Sequence, residues 1–335
     1  MSNYIEKLKK RMLQQELPND YIEECISYAT KLLNKGLPVI FDSEHFAKLV
    51  GINYEDLRKL TISDNYKEVK IPKKNGIRTL LIPNQDLMFV QKWMLVNLIS
   101  KVKISKHSRG FIKNTSLVDN AKHHVKKEYV ITLDIKNFFS SIHNVVVYRI
   151  FRSLGYTKEL SGLFTKLLVT KDGLPQGAPT SPYLSHIVCK KLDRKIFIEL
   201  KSLKNCDFTR YADDITISGE YDITEKIENI IGIIESLGFE INLKKKRHQL
   251  RSQQQMVTGL VVNDKVNIPK SYIRKLKQEI YYCKKYGVNS HMNKTNINNS
   301  NYKLFLFGKA YYIKMINKDL GEKFLKELDE IDWPY

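Results

Sequence analysis

Residues 208–219 read FTRYADDITISG, and this stretch decides how the rest of the chain is interpreted. β-Branched and apolar residues flank the adjacent acids Asp213 and Asp214, which is typical of a β-hairpin with both carboxylates at or beside its turn. Neighbouring carboxylates repel each other, so holding both at a hairpin tip is costly unless a cation neutralises them. Two oxygen ligands on a rigid hairpin suit Mg²⁺, which takes its remaining ligands from water and substrate phosphates.

A second acidic strand strengthens this interpretation. Residues 129–140 read YVITLDIKNFFS, in which an apolar run ends at Asp134. Two-metal phosphoryl transfer needs carboxylates that converge from different strands, because the two ions lie only about 3.5–4 Å apart. The sequence therefore predicts that Asp134, Asp213 and Asp214 are catalytic and hold two Mg²⁺ ions.

Three segments together resemble the palm motifs of reverse transcriptases in order and spacing: 133–139, 174–182 (LPQGAPTSP) and 211–214 (YADD). The resemblance implies an α+β fold, a right-hand polymerase with fingers, a ferredoxin-like palm of the split β-α-β type and a helical thumb. The sequence predicts three domains: an N-terminal helical extension (1–65), fingers and palm (66–262) and a basic helical thumb (263–335).

Composition agrees with a partner that is a polyanion. The chain has 335 residues and a net charge of +20, from 56 basic and 36 acidic residues, which favours nucleic acid. Its four cysteines are far apart in the sequence, which favours reduced thiols and the cytoplasm over disulfides or a zinc site. No run of eighteen apolar residues occurs, so we expect no membrane partner.

The resemblance also implies a site for the incoming nucleotide. Lys74 and Arg78 lie on a predicted basic hairpin of the fingers, where they would bind triphosphate oxygens. Gln176, in the Pro/Gly-rich loop, would position the nucleotide and the template. Phe139, five residues after Asp134, stands where the family places the aromatic ring that excludes a ribose 2′-hydroxyl and so selects dNTPs.

Two further expectations concern the reaction centre. The backbone carbonyl of Ile135 would join the carboxylates as a metal ligand. The basic run Lys244-Lys245-Lys246-Arg247 lies where the family has a lysine that protonates pyrophosphate, and the resemblance leaves Lys244 or Lys245 as candidates. Lys244 is the predicted nucleotide-binding residue.

Two motifs resemble signatures of retron reverse transcriptases, bacterial enzymes that copy part of their own small RNA. They are Asn-Ala-x-x-His at 120–124 and Val-Thr-Gly at 257–259, and polar residues at 289–301 predict a loop in the thumb. A basic helix after Pro269 could follow a duplex through its shape and phosphates. The predicted RNA-binding residues are Asn120, His124, Val257, Thr258, Gly259, Lys270, Arg274 and Lys277. For His124, support of the fold is the alternative.

The resemblance implies an RNA-directed DNA polymerase whose template and primer are one structured noncoding RNA. DNA synthesis would start from an internal guanosine 2′-hydroxyl and give a branched RNA–DNA hybrid used in anti-phage defence, with a defence effector protein as a further partner. The alternatives are another bacterial reverse transcriptase, an RNA-dependent RNA polymerase or a non-catalytic RNA-binding subunit. The short segment after the palm argues against an intron-encoded enzyme with maturase and endonuclease domains.

Overall fold

The computed structural model describes residues 2–62, 65–73 and 76–334. The N-terminal third is helical apart from one hairpin, and four helices close the chain. The α-helices are α1 (Ser2–Gln14), α2 (Asn19–Asn34), α3 (Ser43–Val50), α4 (Tyr54–Lys59), α5 (Gln85–Asn97), α6 (Leu117–Ala121), α7 (Asn144–Leu154), α8 (Lys158–Leu168), α9 (Ser181–Val188), α10 (Lys190–Leu200), α11 (Thr224–Glu235), α12 (Lys270–Tyr286), α13 (Val288–Lys294), α14 (Tyr302–Ile316) and α15 (Lys318–Asp329).

The strands form one antiparallel sheet in the middle of the chain and two hairpins, one before it and one after it in sequence. They are β1 (Tyr66–Lys73), β2 (Gly76–Pro83), β3 (Tyr129–Lys136), β4 (Asp207–Tyr211), β5 (Asp214–Gly219), β6 (Glu240–Ile241), β7 (Arg247–Leu250), β8 (Met256–Val257) and β9 (Leu260–Val261). β1 pairs with β2, β8 pairs with β9, and the central sheet has the order β4-β5-β3 with β6 and β7 both pairing with β3.

Backbone packing divides the chain into two compact units. Unit 1 comprises 1–112, 135–200 and 226–242, and unit 2 comprises 113–134, 201–225 and 243–335. This division does not follow the predicted boundaries between fingers and palm and thumb, because the palm segments alternate between the units. The assignment of those functional domains stays a prediction.

Unit 2 contains the sheet that carries the acidic motifs. β3 pairs with β5 from Tyr129↔Gly219 to Asp134↔Asp214, and β5 pairs with β4 through a two-residue turn. All these pairs are antiparallel, so side chains of directly opposed residues lie on the same face. Apolar alternation along β3 and β5 buries the other face, with Leu133 and Ile215 both fully buried.

Unit 1 is built on helices with an aromatic core. Phe164 of α8 makes edge contacts with Phe46, Phe151 and Tyr156, at centroid separations of 5.0 to 5.3 Å. The two residues of β3 that belong to this unit pair with β6, as Ile135↔Ile241 and Lys136↔Glu240.

The C-terminal helices of unit 2 enclose a second core. Leu276, Ile280, Leu306 and Ile313 are buried members of this cluster. The loop predicted over 289–301 is wrong for its first half, because α13 continues to Lys294. Val288 and His291, on either side of two polar residues, are both buried, so tertiary packing of two side chains holds a helix that local composition did not indicate.

None of the helices described is both long and apolar enough to cross a bilayer.

Candidate active site

The acids of the two sequence motifs lie side by side in unit 2. Asp134 of β3 is the direct partner of Asp214 of β5, and opposed Cα atoms in an antiparallel pair are about 4.5–5.5 Å apart. Asp213 occupies the turn between β4 and β5. The predicted hairpin with its carboxylates at the turn is confirmed. Asp134 and Asp214, which are 80 positions apart in the sequence, are neighbours in the sheet.

A buried arginine supports the turn that presents Asp213. Ala212 has a positive φ of 56°, as the first central residue of a type II′ turn requires. The guanidinium of Arg210, which is fully buried, donates from Nη1 to the carbonyl oxygen of Ala212 at 3.0 Å. A left-handed backbone is unfavourable for a residue with a Cβ, so this hydrogen bond offsets part of its cost.

The electrostatics of the acid pair show that it is short of positive charge. Burial, then the charges of Asp213 and Asp134, raise the pKa of Asp214 to about 6, against the opposing effects of Lys245 and Arg247. The ammonium of Lys245 lies 2.7 Å from Oδ1 of Asp134. The carboxylates therefore already hold one cationic group of this chain, as expected where like charges are forced together.

The oxygen donors of Asp134, Asp213 and Asp214 suit hard divalent cations. Across the residues that the structure describes, no three His, Cys, Asp or Glu side chains are grouped closely enough to hold a metal ion. The opposed Asp134 and Asp214 supply two oxygen donors, and Lys245 stands where a cation is needed. The residues present fit Mg²⁺, provided that the side chains of Asp213 and Lys245 move when it binds. Ile135 follows Asp134 directly, and the role of its carbonyl stays a prediction.

A cleft of about 520 Å³ opens beside these acids, and all its lining residues belong to unit 2. They come from both acidic strands, from β7 and from the β8–β9 hairpin. The lining comprises Leu117, Thr132, Leu133, Asp134, Tyr211, Asp214, Thr216, Lys245, Arg247, Met256, Thr258 and Gly259. Lys244 is absent from this lining, so Lys245 and not Lys244 is the member of the basic run that reaches the acids.

His124 supports the acidic hairpin and does not face RNA. Its ring is fully buried, with Nδ1 2.7 Å from Oγ of Ser218 on β5 and Nε2 2.7 Å from Oγ1 of Thr209 on β4. Burial, with the positive charges of His123 and Lys127, lowers the pKa of His124 to about 3. The predicted RNA contact is wrong for this side chain, because both nitrogens are used inside the protein; the alternative, support of the fold, fits.

Asn120, the first residue of the Asn-Ala-x-x-His motif, packs against the Val-Thr-Gly hairpin. Asn120 is fully buried and donates from Nδ2 to Oγ1 of Thr258 at 3.4 Å, while Ala121 and Val257 share an apolar cluster. The side chains of Asn120 and Val257 are therefore not surface contacts for RNA. The positive φ values of Thr258 (46°) and Gly259 (85°) place these two residues in the tight turn between β8 and β9, beside the cleft.

Backbone hydrogen bonds join the loop of Gln176 to the strand that carries Arg78 and to Phe139, all within unit 1. The carbonyl oxygen of Gln176 accepts from the backbone N–H of Leu81 on β2, the strand that carries Arg78, at 2.6 Å. The N–H of Leu174 donates to the carbonyl of Phe139 at 3.1 Å. Arg78 is exposed on β2, whereas Lys74 lies outside the described residues.

Two glycines explain why this loop needs its sequence. A Cβ on Gly173 would lie 2.3 Å from the carbonyl oxygen of Ser140, and one on Gly177 would lie 2.7 Å from that of Leu81. Both residues also have positive φ, so no other residue type fits without moving backbone.

The predicted basic surface on α12 is present, since Lys270, Arg274 and Lys277 are all exposed.

Sequence reasoning missed two residues of the site, Arg210, which bonds to the acidic turn, and Arg247, which lines the cleft. Arg210 adjoins the acidic motif, but nothing in its spacing tells a buried arginine from an exposed one. Arg247 ends the basic run, which we interpreted as a solvated surface. Strand alternation offers a signal, because Gln249, two residues on, is a buried polar residue on the same face.

Comparison with known proteins identifies the class. A family model described as reverse transcriptase (RNA-dependent DNA polymerase) matches residues 71–303. The chain therefore belongs to the reverse transcriptase family, and it is an RNA-directed DNA polymerase with the right-hand polymerase fold.

Its relatives narrow the type to the retron reverse transcriptases. The chain is 34% identical to the retron Ec86 reverse transcriptase of Escherichia coli over 261 residues, which cover 75% of this chain and 81% of the relative. It is 28% identical to the retron Mx65 reverse transcriptase of Myxococcus xanthus over 334 residues, 91% of this chain and 75% of the relative.

One solved structure with a weaker similarity is telomerase from Candida albicans in complex with a TWJ fragment of telomeric RNA. The TM-score is 0.45 at 13% identity, over 80% of this chain and 61% of that chain. A similarity of this size says nothing about the reaction of the present chain.

Proposed function

We propose that this protein copies part of a structured noncoding RNA into single-stranded DNA, starting from a 2′-hydroxyl of that RNA. The observation that carries the proposal is the pairing of Asp134 with Asp214, next to Asp213 and within reach of Lys245. The 34% identity with a retron reverse transcriptase supports the proposed type of template. The branched product, and its use in defence with an effector protein, are part of this proposal.

The acids would act through divalent cations. Asp134, Asp213 and Asp214, with the carbonyl of Ile135, would hold two Mg²⁺ ions. When bound, these ions would lower the pKa of the attacking hydroxyl and neutralise the leaving pyrophosphate. The oxygen of the hydroxyl attacks the α-phosphorus of the dNTP, its proton leaves, and the bond to the β-phosphate breaks with release of pyrophosphate.

Lys245 would take part in this step. Its ammonium lies 2.7 Å from Oδ1 of Asp134 and would turn away once a metal ion neutralises that carboxylate. An ammonium close to the acids can then hydrogen-bond to the departing pyrophosphate and supply a proton. We expect Lys245→Ala to lower kcat much more than Lys244→Ala does.

The nucleotide would be selected in unit 1. Arg78 would bind phosphate oxygens, Gln176 would position the base pair, and the ring of Phe139 would exclude a 2′-hydroxyl. Phe139→Ala should raise the use of NTPs relative to dNTPs by about tenfold or more, since a loss of steric exclusion is worth at least about 1.4 kcal/mol. Phe139→Tyr is the matched control, because it keeps the ring and should keep the preference for dNTPs.

The decisive experiment for this proposal is to isolate and sequence the nucleic acid that copurifies with the protein from its native host. A molecule in which DNA is joined to an RNA 2′-oxygen supports retron-type synthesis. Linear DNA with a 3′–5′ junction, or RNA without DNA, would contradict the proposed priming while leaving the family assignment unchanged.

A further inference from the structure

The floor of the cleft is a second polar row on the face of the sheet that carries the acids. Thr132 of β3 is the direct partner of Arg247 on β7 and of Thr216 on β5. Asp134 and Asp214 lie two residues further along the same strands, so both rows project to one face. Two residues of strand span about 6.5–7 Å, which is the spacing between the carboxylate row and the Arg247–Thr132–Thr216 row.

Arg247 is the positively charged residue of this row. Within the part of the chain that the structure describes, Lys245 pairs with Asp134 and Arg251 pairs with Glu128 and Asp264, whereas Arg247 forms no salt bridge. Its side chain is exposed and lines the cleft together with the hydroxyl-bearing Thr132 and Thr216. A guanidinium next to hydroxyl groups is a donor set that suits a phosphate, which arginine can bind through two hydrogen bonds at once.

In the proposed reaction, one more phosphate lies next to the reacting hydroxyl than in conventional priming. A conventional primer ends at its reacting 3′-hydroxyl and carries phosphates on its 5′ side alone. A nucleotide that reacts through its 2′-hydroxyl inside an RNA also carries a phosphodiester on O3′, bonded to the neighbouring carbon of the same ribose. Near Asp134 and Asp214 that phosphate is repelled, so it needs a cation within one strand pleat of the carboxylates.

We infer that Arg247, with Thr132 and Thr216, binds the phosphodiester on the 3′ side of the priming nucleotide. The inference rests on the proposed function, because 2′-priming supplies the phosphate in question. It assigns to this cleft a property that a generic polymerase does not need, which is a preference for a primer nucleotide whose O3′ is already esterified.

A binding experiment with defined duplexes tests the inference without the native RNA. The probes are two RNA primers annealed to one RNA template, identical except that one ends in a 3′-hydroxyl and the other in a 3′-phosphate with a free 2′-hydroxyl. For the wild-type protein and each variant, Kd is measured for both duplexes at one fixed salt concentration. The quantity of interest is the ratio of the two Kd values, which cancels general losses of affinity.

We expect the wild-type protein to prefer the 3′-phosphoryl duplex, and Arg247→Gln to reduce that preference by about tenfold. Arg247→Lys should keep part of it, since a point charge replaces the bidentate group. Arg251→Gln, the same change four residues further on and outside the cleft, should keep all of it. Urea unfolding followed by circular dichroism should show that Arg247→Gln is folded.

Other outcomes overturn the inference. Equal loss of affinity for both duplexes in Arg247→Gln would make Arg247 a general phosphate contact, and an unchanged ratio would remove it from the site. If the wild-type protein shows no preference although it extends the 3′-hydroxyl primer, the phosphate subsite is refuted and the polymerase activity stands. Failure of the proposed priming would appear separately, as a copurifying nucleic acid without a 2′ junction.

Discussion

The two ends of the β3–β5 ladder carry polar groups of opposite character, although fewer than six residues of strand separate them. At one end, Asp134 and Asp214 face each other and the pKa of Asp214 is raised to about 6. At the other end, His124 is buried between Ser218 and Thr209 and its pKa is lowered to about 3. Both shifts make the charged form unfavourable, but only the histidine has all its hydrogen bonds satisfied within the protein.

The difference separates a site that stabilises a ligand from one that stabilises the fold. The acidic end retains repulsion that bound metal ions would relieve, so its cost is recovered only when those cations are bound. The histidine end is neutral and fully bonded, so it holds β4 and β5 together at all times. The precise turn at Asp213 depends on that rigid base, which is why a buried histidine belongs to the active-site architecture without facing the cleft.

The largest expected effect comes from neutralising the acidic end. Asp213→Asn with Asp214→Asn should lower DNA synthesis by at least about a thousandfold, since removal of the groups that hold the metals costs several kcal/mol in the transition state. The same variant should unfold at equal or higher urea concentration than the wild type, because like-charge repulsion is removed. Asp264→Asn, an exposed acid of the same unit, is the control and should change neither quantity. Retention of polymerisation by the double variant would refute the assigned site.

The next effect should come from the histidine end. His124→Leu removes two buried hydrogen bonds and leaves the hydroxyls of Ser218 and Thr209 without their partner, so we expect a loss of about 2–4 kcal/mol in the free energy of unfolding. His123→Leu changes the exposed neighbour and should cost less than about 0.5 kcal/mol. Urea unfolding followed by circular dichroism measures both. Equal losses in the two variants would show that His124 has no special part in holding the hairpin.

Lowering the pH should change the contributions of His124 and Asp214 to the free energy of unfolding in opposite directions. The lowered pKa of His124 contributes stability that is present above about pH 6.5 and is lost as pH falls below that value. The raised pKa of Asp214 acts in the opposite direction, because in the absence of metal the folded protein binds the proton more tightly than the unfolded chain does, so the contribution of this group grows as pH falls through about 6.

Two variants expose these opposed contributions when unfolding is measured at both pH values without metal. Between pH 7.5 and 5.5, Asp214→Asn should lose more stability than the wild type, and His124→Gln should lose less. Parallel pH profiles for all three proteins would show that neither group titrates as its surroundings indicate.

The smallest effect should be stabilisation by metal alone. Mg²⁺ at ten times its Kd would add about 1.4 kcal/mol to the folded state, and weaker binding in the absence of nucleotide would add less. The shift in Tm on adding Mg²⁺ should disappear in Asp134→Asn and persist in His123→Leu. A shift of the same size in Asp134→Asn would place the bound ion elsewhere on the protein.

Much of this architecture could be predicted from local pattern. The alternation of apolar residues located β3, β4 and β5, and the two adjacent acids located the turn, because a strand periodicity of two and a polar tip are properties of a few neighbouring residues. Resemblance in the motif order supplied the fold and the reaction. The Asn-Ala-x-x-His and Val-Thr-Gly motifs were also found. The side chains of Asn120, His124 and Val257 are buried and were wrongly given to RNA, whereas the RNA-binding role of Thr258 and Gly259 stays a prediction.

The sequence by itself determined the acidic hairpin and the positive charge, because short-range periodicity and composition carry that information. The class of protein came from the resemblance of its motifs to those of reverse transcriptases. Only the tertiary structure decided that His124 and Asn120 are buried, that Lys245 and not Lys244 reaches Asp134, and that Arg247 lies in the cleft. The physical reason is strand register. A shift of one residue between β7 and β3 would turn Arg247 to the other face, and the residues near Arg247 in the sequence do not determine that register.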